Sequence, residues 1–542
     1  MMTPARGHAR TTLAIVGLSM LAGAAYTLAT GEDANWDWQN YHEYNVWAVL
    51  TGRYAIDVAP AGFQRYFNPL VYFPVYWLRH LLPPPLGLTI IGAVHGLNLA
   101  LIVWLTRVLL GRSTVIATVS AVAIAATGPM TLSETGTSFT DVLLSLLVIA
   151  GFGLILVDTS HLPAGDVEVP SDPSPTSLTA RSAASTRTPQ SRQRLHLLLA
   201  GLLIGAAVGL KLTNVVFALG AVVAVLLAAH PITGLVWLGV GGALGAGVTH
   251  GAWSVMLWRE LGNPIFPLFN GVFRSPELLP TNILDLQFYP RGLLDALAYP
   301  FYWLAGINRS SEYPFRDARF AAVMLLIPIA IVARLWRGTA LFTRRDVQFF
   351  AMVGVSYAGW LGLFAIHRYA VALELLCAPL IVLLIARLWP QTLRRGAAIA
   401  TALLAAAIAA WTQPGDWGRR PWSDPYRPAI PAALAQPATY LLLSKPVAYV
   451  APLLPPASRF YQLADIALPI LPGGIFDRRI RAGLADPLPG GIWSVANRHT
   501  AIRPNLLQRY ALAVDTGRPC VSIEGVAPGT AIHLCPLKAS DR

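Results

Sequence analysis

The stretch LHLLLAGLLIGAAVGLKLTNVVFALGAVVAVLLAA, from Leu195 to Ala229, decides the fold of this chain. As a single helix it would be about 52 Å long at about 1.5 Å per residue. The hydrocarbon core of a bilayer is only roughly 30 Å thick. The stretch therefore predicts two short membrane spans that meet at Lys211, at one surface of the bilayer.

The composition agrees with a membrane protein. Of the 542 residues, 55% are hydrophobic and 12% are charged, which is too apolar for an ordinary soluble domain. The net charge of +13 comes largely from arginines that fall in short clusters between apolar runs. Such clusters are typical of cytoplasmic loops, so the charge does not indicate nucleic-acid binding.

Nine further apolar runs bring the predicted number of spans to eleven. They are 12–29, 86–110, 114–130, 139–157, 232–257, 320–335, 347–364, 371–388 and 397–411. Counting 195–229 as two spans puts every arginine cluster on the inner side, together with Arg6 and Arg10. We therefore expect a multi-pass protein of the bacterial inner membrane with a cytoplasmic N-terminus and a periplasmic C-terminus. The first run is longer than the core of a usual signal peptide, which favours a retained span.

The predicted domains are a transmembrane domain at 1–411 and a periplasmic region at 412–542. Residues 159–194 are rich in Ser, Thr, Pro and Ala and predict a disordered cytoplasmic linker within the first domain. The region after Trp411 contains strand-like runs at 521–525 and 531–534, which predict a small α/β unit. Cys520 and Cys535 both lie there, either as a disulfide or as two thiols.

The first outer loop carries the sequence NWDWQNYHEY, from Asn35 to Tyr44. Residues 41–50 have the spacing of a short helix lying in the membrane interface, where the aromatic rings would form a belt. Asp37 stands between two tryptophans. We expect them to desolvate the Asp37 carboxylate, raise its pKa and suit it to act as a base.

Other polar residues collect at the same predicted face. Glu134 and Asp141 lie in the turn that joins the third predicted span to the fourth. Lys211 and Asn214 lie at the junction of the next two spans. Ionisable groups at membrane depth are costly, so their convergence predicts a site. A snorkelling role for Lys211 stays open. The candidate substrate-binding residues are His42, Arg53, Arg65, Asn68, Asp141, Lys211, Asn214, Arg259, Asn263, His367 and Arg368.

The sequence has no clear cofactor signature. The histidines are not at ligand spacing, so no metal site is predicted, although a divalent cation between Asp37, Glu134 and Asp141 stays open. There is no phosphate-binding loop and no dinucleotide fingerprint, which disfavours a nucleotide-sugar donor. The glycine-rich run GVGGALGAG at 239–247 lies inside a span, where small residues serve helix packing.

The arrangement resembles the GT-C superfamily of membrane glycosyltransferases up to Trp411. The resemblance rests on the long first outer loop with its Asp, and on the phrases NYHEYN, NPIFPLFN and HRYAVALE. It implies a bundle of about eleven helices that takes sugar from a lipid-phosphate donor, usually polyprenyl phosphate, at the outer face. It also implies that an acidic residue of the first loop is the base. That role carries over best to Asp37 and less well to Asp33 or Glu32. The paired acidic motifs of some subfamilies are missing from this sequence, so the choice among these carboxylates stays open.

The chemistry of such a transfer fits the polar residues. A base takes the proton of the attacking hydroxyl, and cations hold the charge that grows on the leaving phosphate. The catalytic candidates are Asp37, Asp33 and Glu134, and the cations are Lys211, Arg259 or Arg368. A single carboxylate predicts inversion at the sugar. The acceptor would be a glycan, a lipid or a protein. A transporter or flippase of lipid-linked sugars is the alternative function, and a polysaccharide polymerase or ligase of another membrane fold is a further one.

Overall fold

The computed structural model describes residues 4–111, 113–157, 189–283, 285–337, 341–389, 393–497, 504–526 and 529–540. Each of the eleven predicted spans coincides with a helix. In chain order the helices are α1 Pro4–Thr30, α2 Glu43–Leu50, α3 Phe73–Leu81, α4 Pro84–Leu110, α5 Val115–Ala126, α6 Pro129–Glu134, α7 Asp141–Leu156, α8 Pro189–Leu210, α9 Val215–Leu226, α10 Pro231–Leu261, α11 Asn270–Phe273, α12 Leu293–Ala305, α13 Arg319–Arg337, α14 Arg344–Leu363, α15 Val371–Leu388, α16 Arg394–Trp411, α17 Ile475–Ala485 and α18 Pro504–Gln508.

Within the described ranges, seven helices are long and apolar enough to cross a membrane. They are α1, α4, α8, α10, α13, α15 and α16, with three shorter apolar helices at α5, α7 and α9. Helix α8 ends at Leu210 and α9 begins at Val215, so the predicted break at Lys211 is confirmed. The helix α15 is apolar on every side and almost wholly buried, as expected of a helix at the centre of a bundle.

Helices α8 and α10 lie very close together along their lengths. A Cβ atom on Gly201 would collide with the backbone carbonyl of Leu238, and one on Gly241 would collide with that of Leu198. Glycines on both helices therefore allow the two backbones to touch, as small residues do at membrane helix interfaces. This confirms the packing role predicted for the run at 239–247.

The region after Trp411 is a small mixed sheet with helices. Its strands are β3 Thr439–Leu442, β4 Arg459–Gln462, β5 Ile492–Asn497, β6 Leu512–Val514, β7 Val521–Glu524 and β8 Ala531–Ala539. Their order is β4-β3-β5-β8-β6, with β7 also paired to β8. The first three strands are parallel, while β8 runs antiparallel to its neighbours. Cys520 and Cys535 form a disulfide, so the paired alternative is confirmed.

This C-terminal sheet packs on the first outer loop. The two-residue strands β1 Glu32–Asp33 and β2 Arg419–Arg420 pair antiparallel. Farther along the loop, the buried carboxylate of Asp57 accepts hydrogen bonds from Arg53 and from the backbone N–H of Phe460, in β4. The loop is thus fixed between the helix bundle and the sheet.

Three local predictions need correction. The predicted linker extends to Arg194, but α8 already begins at Pro189; residues 159–188 lie outside the described part of the chain. The predicted interfacial helix is α2, and it is buried beneath the C-terminal sheet rather than lying in the interface. Tyr44 in this helix is fully buried, and Trp38 and Tyr41 are buried too, so these rings do not form a belt. The covering sheet explains both differences, because it removes that face of the loop from solvent and lipid.

Candidate active site

The backbone around Asp37 is held by hydrogen bonds from side chains just before it. Asn35 accepts the backbone N–H of Trp38 at 2.7 Å, and its amide donates to Asp33 at 2.7 Å and to Ser138 at 2.9 Å. A π-helical turn, Trp38–His42, then leads directly into α2. This network fixes the direction in which the Asp37 side chain leaves the loop.

Asp37 lies opposite Arg368. The Asp37 Oδ2 atom accepts a hydrogen bond from Arg368 Nη1 at 2.5 Å and another from the Tyr41 hydroxyl at 3.1 Å. Burial is the largest single effect and alone would raise the pKa of Asp37, but the charge and hydrogen bond of the Arg368 guanidinium, with the more distant charge of Lys211, together outweigh it, and the pKa is lowered. The prediction that two tryptophans raise this pKa is therefore wrong. The cations around the carboxylate together have a larger effect than desolvation here.

Arg368 reaches Asp37 from the turn between α14 and α15. Its guanidinium lies over the rings of Phe139, Tyr369 and Trp417, at 5.2 to 5.6 Å from the ring centres. Glu312 is a second, more distant carboxylate partner at 3.7 Å. Aromatic faces attract a cation and restrict its position, so Arg368 is placed at the centre of an aromatic cage.

A second ion pair lies beside the first. Lys211 Nζ donates to both carboxylate oxygens of Asp141, at 2.7 and 2.6 Å. The same ammonium lies 4.7 Å from the ring centre of Tyr369, the ring that also contacts Arg368. Two cations and two carboxylates from four distant parts of the sequence therefore converge around Tyr369. The structure brings together Asp37, Asp141, Lys211 and Arg368 as the sequence predicted, and Lys211 does not merely snorkel.

Glu134 is a fully buried carboxyl group near this cluster. Neither of its oxygens has a hydrogen-bond partner among the described residues. Burial, together with the neighbouring charge of Asp141, raises the pKa of Glu134 well above its usual range. The protonated form is thus favoured, and in that form the group can donate a hydrogen bond as well as accept one.

A cavity of about 90 Å³ is lined by Lys211, the cation of the second ion pair. Tyr41 and Tyr369 line the same polar side, and they contact Asp37 and Arg368 of the first ion pair. Leu257 and Phe266 belong to its apolar side, so the lining combines one cation and tyrosine rings with hydrocarbon side chains. Such a combination suits a ligand with a polar head and an apolar tail.

Several predicted binding residues have structural roles instead. Asn68 donates to the backbone carbonyls of Gly209 and Thr249, and Asn214 donates to that of Lys211. Asn263 holds a local turn by donating to Leu268. These amides tie loops to helix ends, as short amide side chains commonly do. Of the three, Asn68 also lines the cavity.

The other predicted cations and acids are also placed away from the ion pairs. Arg53 forms a buried salt bridge with Asp57, and Arg65 lies over the ring of Tyr54 at 3.3 Å. Arg259 is exposed at the end of α10. Asp33 accepts hydrogen bonds from Asn35 and from the backbone N–H of Ser138 at 2.8 Å, so it fixes the loop. Arg53 and Asp33 have partners close in the sequence, at Asp57 and Asn35, whereas the contact of Asp33 with Ser138 forms only on folding.

The two predicted histidines are buried in aromatic surroundings. His42 stacks on Tyr72 with ring centres 4.2 Å apart, and its Nδ1 atom lies 3.0 Å from the hydroxyl of Ser138. Burial lowers the pKa of His42 to about 3, so the ring is neutral. His367 packs against Phe315 at 4.4 Å, and its Nε2 atom lies 3.7 Å from Glu374.

Sequence reasoning missed three aromatic residues of the site. Tyr41 and Tyr369 lie within the quoted motifs NYHEYN and HRYAVALE, so their position beside His42 and Arg368 was a usable signal. Trp417 lies in the C-terminal region, just after α16, and nothing in its surroundings marked it. Its contact with Arg368 follows from the way this region folds back over the bundle.

One group of possible metal ligands occurs within the described ranges. It consists of Asp317, His367 and Glu374, and not of Asp37, Glu134 and Asp141, where the sequence left a divalent cation open. The guanidinium of Arg319 already lies 3.4 Å from Asp317 and 3.6 Å from Glu374. This cation balances the carboxylates and opposes a metal ion at the same place. The Asp37 and Asp141 carboxylates are likewise engaged by cations of the chain.

No protein-family model and no curated protein matches the chain. It is similar to the apo crystal structure of ArnT from Cupriavidus metallidurans, with 14% identity, a TM-score of 0.44, and coverage of 75% of this chain and 64% of that one. It is also similar to the apo oligosaccharyltransferase of Archaeoglobus fulgidus, with 14% identity, a TM-score of 0.39, and coverage of 84% and 64%. The chain spans just under two thirds of the length of these two proteins.

A further structure of the Archaeoglobus fulgidus enzyme, tethered to an acceptor peptide with the NVT sequon, matches with 12% identity and a TM-score of 0.39, over 90% of this chain and 69% of that one.

Proposed function

We propose that this protein is a membrane glycosyltransferase that moves a sugar from a lipid-phosphate donor, of the polyprenyl-phosphate type, to an acceptor hydroxyl. The observation that carries the proposal is the meeting of the Asp37 carboxylate with two cations, Arg368 and Lys211, around one tyrosine ring beside a cavity. A carboxylate and paired cations are the groups that such a transfer requires. The resemblance of the first loop and of HRYAVALE to the GT-C superfamily supports the same reaction.

Asp37 is the proposed base. Its lowered pKa keeps the carboxylate ionised at neutral pH, ready to accept a proton. A weak base is sufficient when the acceptor hydroxyl loses its proton late, as its oxygen bonds to the anomeric carbon of a sugar with oxocarbenium character. In the step, the bond from the anomeric carbon to the phosphate oxygen breaks, the new carbon–oxygen bond forms, and the hydroxyl proton passes to Asp37. Attack from the face opposite the phosphate inverts the anomeric configuration.

Arg368 and Lys211 are the proposed phosphate ligands. Each is neutralised by a carboxylate when no donor is bound, Arg368 by Asp37 and Lys211 by Asp141. A phosphate group competes for these cations, since Arg and Lys bind phosphate through charge-assisted hydrogen bonds. Sharing Arg368 with the donor would weaken its hold on Asp37 and raise the pKa of that carboxylate. Donor binding would thereby prepare the base.

The apolar side of the cavity is the proposed place for the start of the lipid chain. Leu257 and Phe266 lie there, close to the end of α10. Glu134, whose carboxyl oxygens have no partner among the described residues, is the proposed group that orients the acceptor. No metal ion is required in this scheme, because cations of the chain already face the phosphate position.

We further propose that the protein lies in a bacterial inner membrane with the Asp37 site and the C-terminal region on the periplasmic side and the N-terminus in the cytoplasm. The disulfide between Cys520 and Cys535 supports this orientation, since disulfides persist in oxidising compartments. The arginine clusters of the opposite loops support it as well.

The proposal is tested with purified protein and a panel of polyprenyl-phosphate sugars carrying different hexoses and pentoses. Release of free polyprenyl phosphate with formation of an inverted glycoside would support it, with the anomeric configuration read by nuclear magnetic resonance. Translocation of intact donor across a liposome membrane, without cleavage, would instead identify the flippase alternative. Cleavage that yields growing chains of repeat units would identify a polymerase.

A further inference from the structure

A second and larger cavity lies at the other end of the helix bundle. Its volume is about 800 Å³, and it is enclosed by the last residues of α4, α7 and α9 and by the first turns of α8, α10 and α14. The Asp37 site adjoins the start of α7 and the junction of α8 and α9, at Asp141 and Lys211. Because helices α7, α8 and α9 pass from one location to the other, the two cavities are separated by the length of the bundle.

The lining of this cavity is strongly basic. Four arginines contribute to it, namely Arg194, Arg344, Arg345 and Arg387, and the described lining contains no carboxylate. Arg387 forms an ion pair with Asp346, with 2.9 Å between Arg387 Nε and Asp346 Oδ2. Arg194 and Arg344 are exposed, and within the described part of the chain neither forms an ion pair. Arg194 and Arg344 therefore present positive charge to the cavity that no carboxylate of the described residues balances.

The opposite wall of the cavity is hydrocarbon. Leu109, Leu156 and Val225 stand there, at the ends of three apolar helices. A free phosphate ion would use only the arginines, whereas a lipid would use both walls. The arginines fit a phosphodiester, and the leucine and valine side chains fit the glycerol and the first methylenes of an acyl chain.

We propose that this cavity binds the headgroup of an anionic phospholipid from the leaflet opposite to the Asp37 site. Arg194 and Arg344 are its main phosphate contacts. Basic pockets between membrane helices on the cytoplasmic side recognise anionic headgroups in this way. The volume matches a headgroup with part of its glycerol, since ligand pockets generally enclose several hundred cubic ångströms. This site is separate from the proposed transferase reaction and does not depend on it.

The test is native mass spectrometry of the full chain released from detergent with defined lipids. Phosphatidylglycerol should remain bound where phosphatidylcholine of the same acyl chains does not. The double variant Arg194→Gln/Arg344→Gln should bind phosphatidylglycerol at least about tenfold more weakly, because two charge-assisted contacts are lost. The matched control is Arg334→Gln/Arg337→Gln, which removes two exposed arginines from the last turn of α13, outside the cavity, and should bind normally.

Four results would overturn the proposal. Equal binding of phosphatidylcholine would remove the role of charge, and an equal loss in the control variant would reduce the effect to diffuse surface charge. Inorganic phosphate that competes as well as the lipid would identify a soluble anion as the ligand. Lipid binding that appears only after deletion of residues 160–186 would show that this segment, with its three carboxylates Asp166, Glu168 and Asp172, competes for the cavity.

Discussion

Arg368 Nη1 donates to Asp37 Oδ2 at 2.5 Å across 331 residues of sequence. The contact joins the first outer loop to the turn that begins α15, the most deeply buried helix of the bundle. In the proposed reaction, this carboxylate takes the proton of the acceptor hydroxyl. The following predictions depend on this pair and on its neighbours.

Replacing Asp37 by Asn should abolish most of the activity. The amide keeps the size of the side chain but accepts no proton at neutral pH, so turnover should fall roughly 100-fold or more. Donor binding should be retained. The controls are Asp424→Asn, an exposed site in the C-terminal region, and Glu134→Gln, which keeps the size and shape of the side chain and should have a smaller effect. Near-normal turnover in Asp37→Asn would show that Asp37 is not the base.

The pH profile should move when Arg368 is changed to Gln. In the native protein Arg368 lowers the pKa of Asp37, so the acid limb of kcat/KM should lie below the ordinary aspartate value of about 3.9. Without the guanidinium, burial dominates and the limb should rise by about one pH unit or more. Arg259→Gln, at the exposed end of α10, should leave the profile unchanged. An unshifted limb in the Arg368 variant would mean that another group is the base.

The stability conferred by this ion pair has the corresponding sign. A carboxylate with a lowered folded-state pKa stabilises the protein above its unfolded pKa, and that contribution is lost as the pH falls through the folded value. The melting temperature of Arg368→Gln should therefore lie below that of the native protein at neutral pH and approach it only in strong acid.

Lys211→Met should weaken use of the donor. The substitution keeps much of the stem but removes the phosphate contact, so KM for the donor should rise about tenfold or more while kcat changes less. Lys445→Met is a matched control, because Lys445 also forms a lysine–aspartate pair, with Asp465 at 3.0 Å, in the C-terminal region. Equal donor kinetics in the two variants would contradict the phosphate role of Lys211.

Asp33→Asn should act on stability rather than on chemistry. The Asp33 carboxylate accepts three hydrogen bonds, two from Asn35 and one from Ser138. An amide would turn one accepting oxygen into a donor that faces other donors, at a cost of about 1 to 3 kcal/mol. A lower melting temperature is expected, with kcat of the folded fraction close to normal. A stable but inactive Asp33→Asn protein would show that Asp33, and not Asp37, is the base.

Reporter fusions test the orientation. A reporter inserted after Ser185 should be on the cytoplasmic side, and one fused after Arg542 should be on the periplasmic side. Both reporters on one side would contradict the count of eleven spans, and with it the common face assigned to Asp37 and Lys211.

The sequence predicted the helices well because the length of a span is set by the bilayer. The break at Lys211 follows from this limit alone, and α8 and α9 confirm it. The polar site was predicted only as a set of candidates. Asp37, Lys211 and Arg368 lie together in the site. Arg53 and Asn68 look equally polar in sequence, but Arg53 pairs with Asp57 and Asn68 donates to the backbone carbonyl of Gly209. Which cation meets which carboxylate is a tertiary relationship, and no local pattern contains it.

The pKa of Asp37 was mispredicted for a related reason. The neighbouring tryptophans are visible in sequence, whereas Arg368 becomes a neighbour only in the folded chain. The burial of α2 was missed because the covering sheet is formed by residues at the other end of the protein. Sequence therefore indicated the groups available, and folding selected among them.

The pairing of Glu32–Asp33 with Arg419–Arg420 also determines when the site can form during biosynthesis. The first loop leaves the ribosome and the translocon long before its partner strand does, and the Phe460 contact to Asp57 comes later still. A nascent chain halted after α16 would hold its helices but leave the loop without the sheet that buries it. Each molecule should thus become competent only after the C-terminal sheet has folded on the loop.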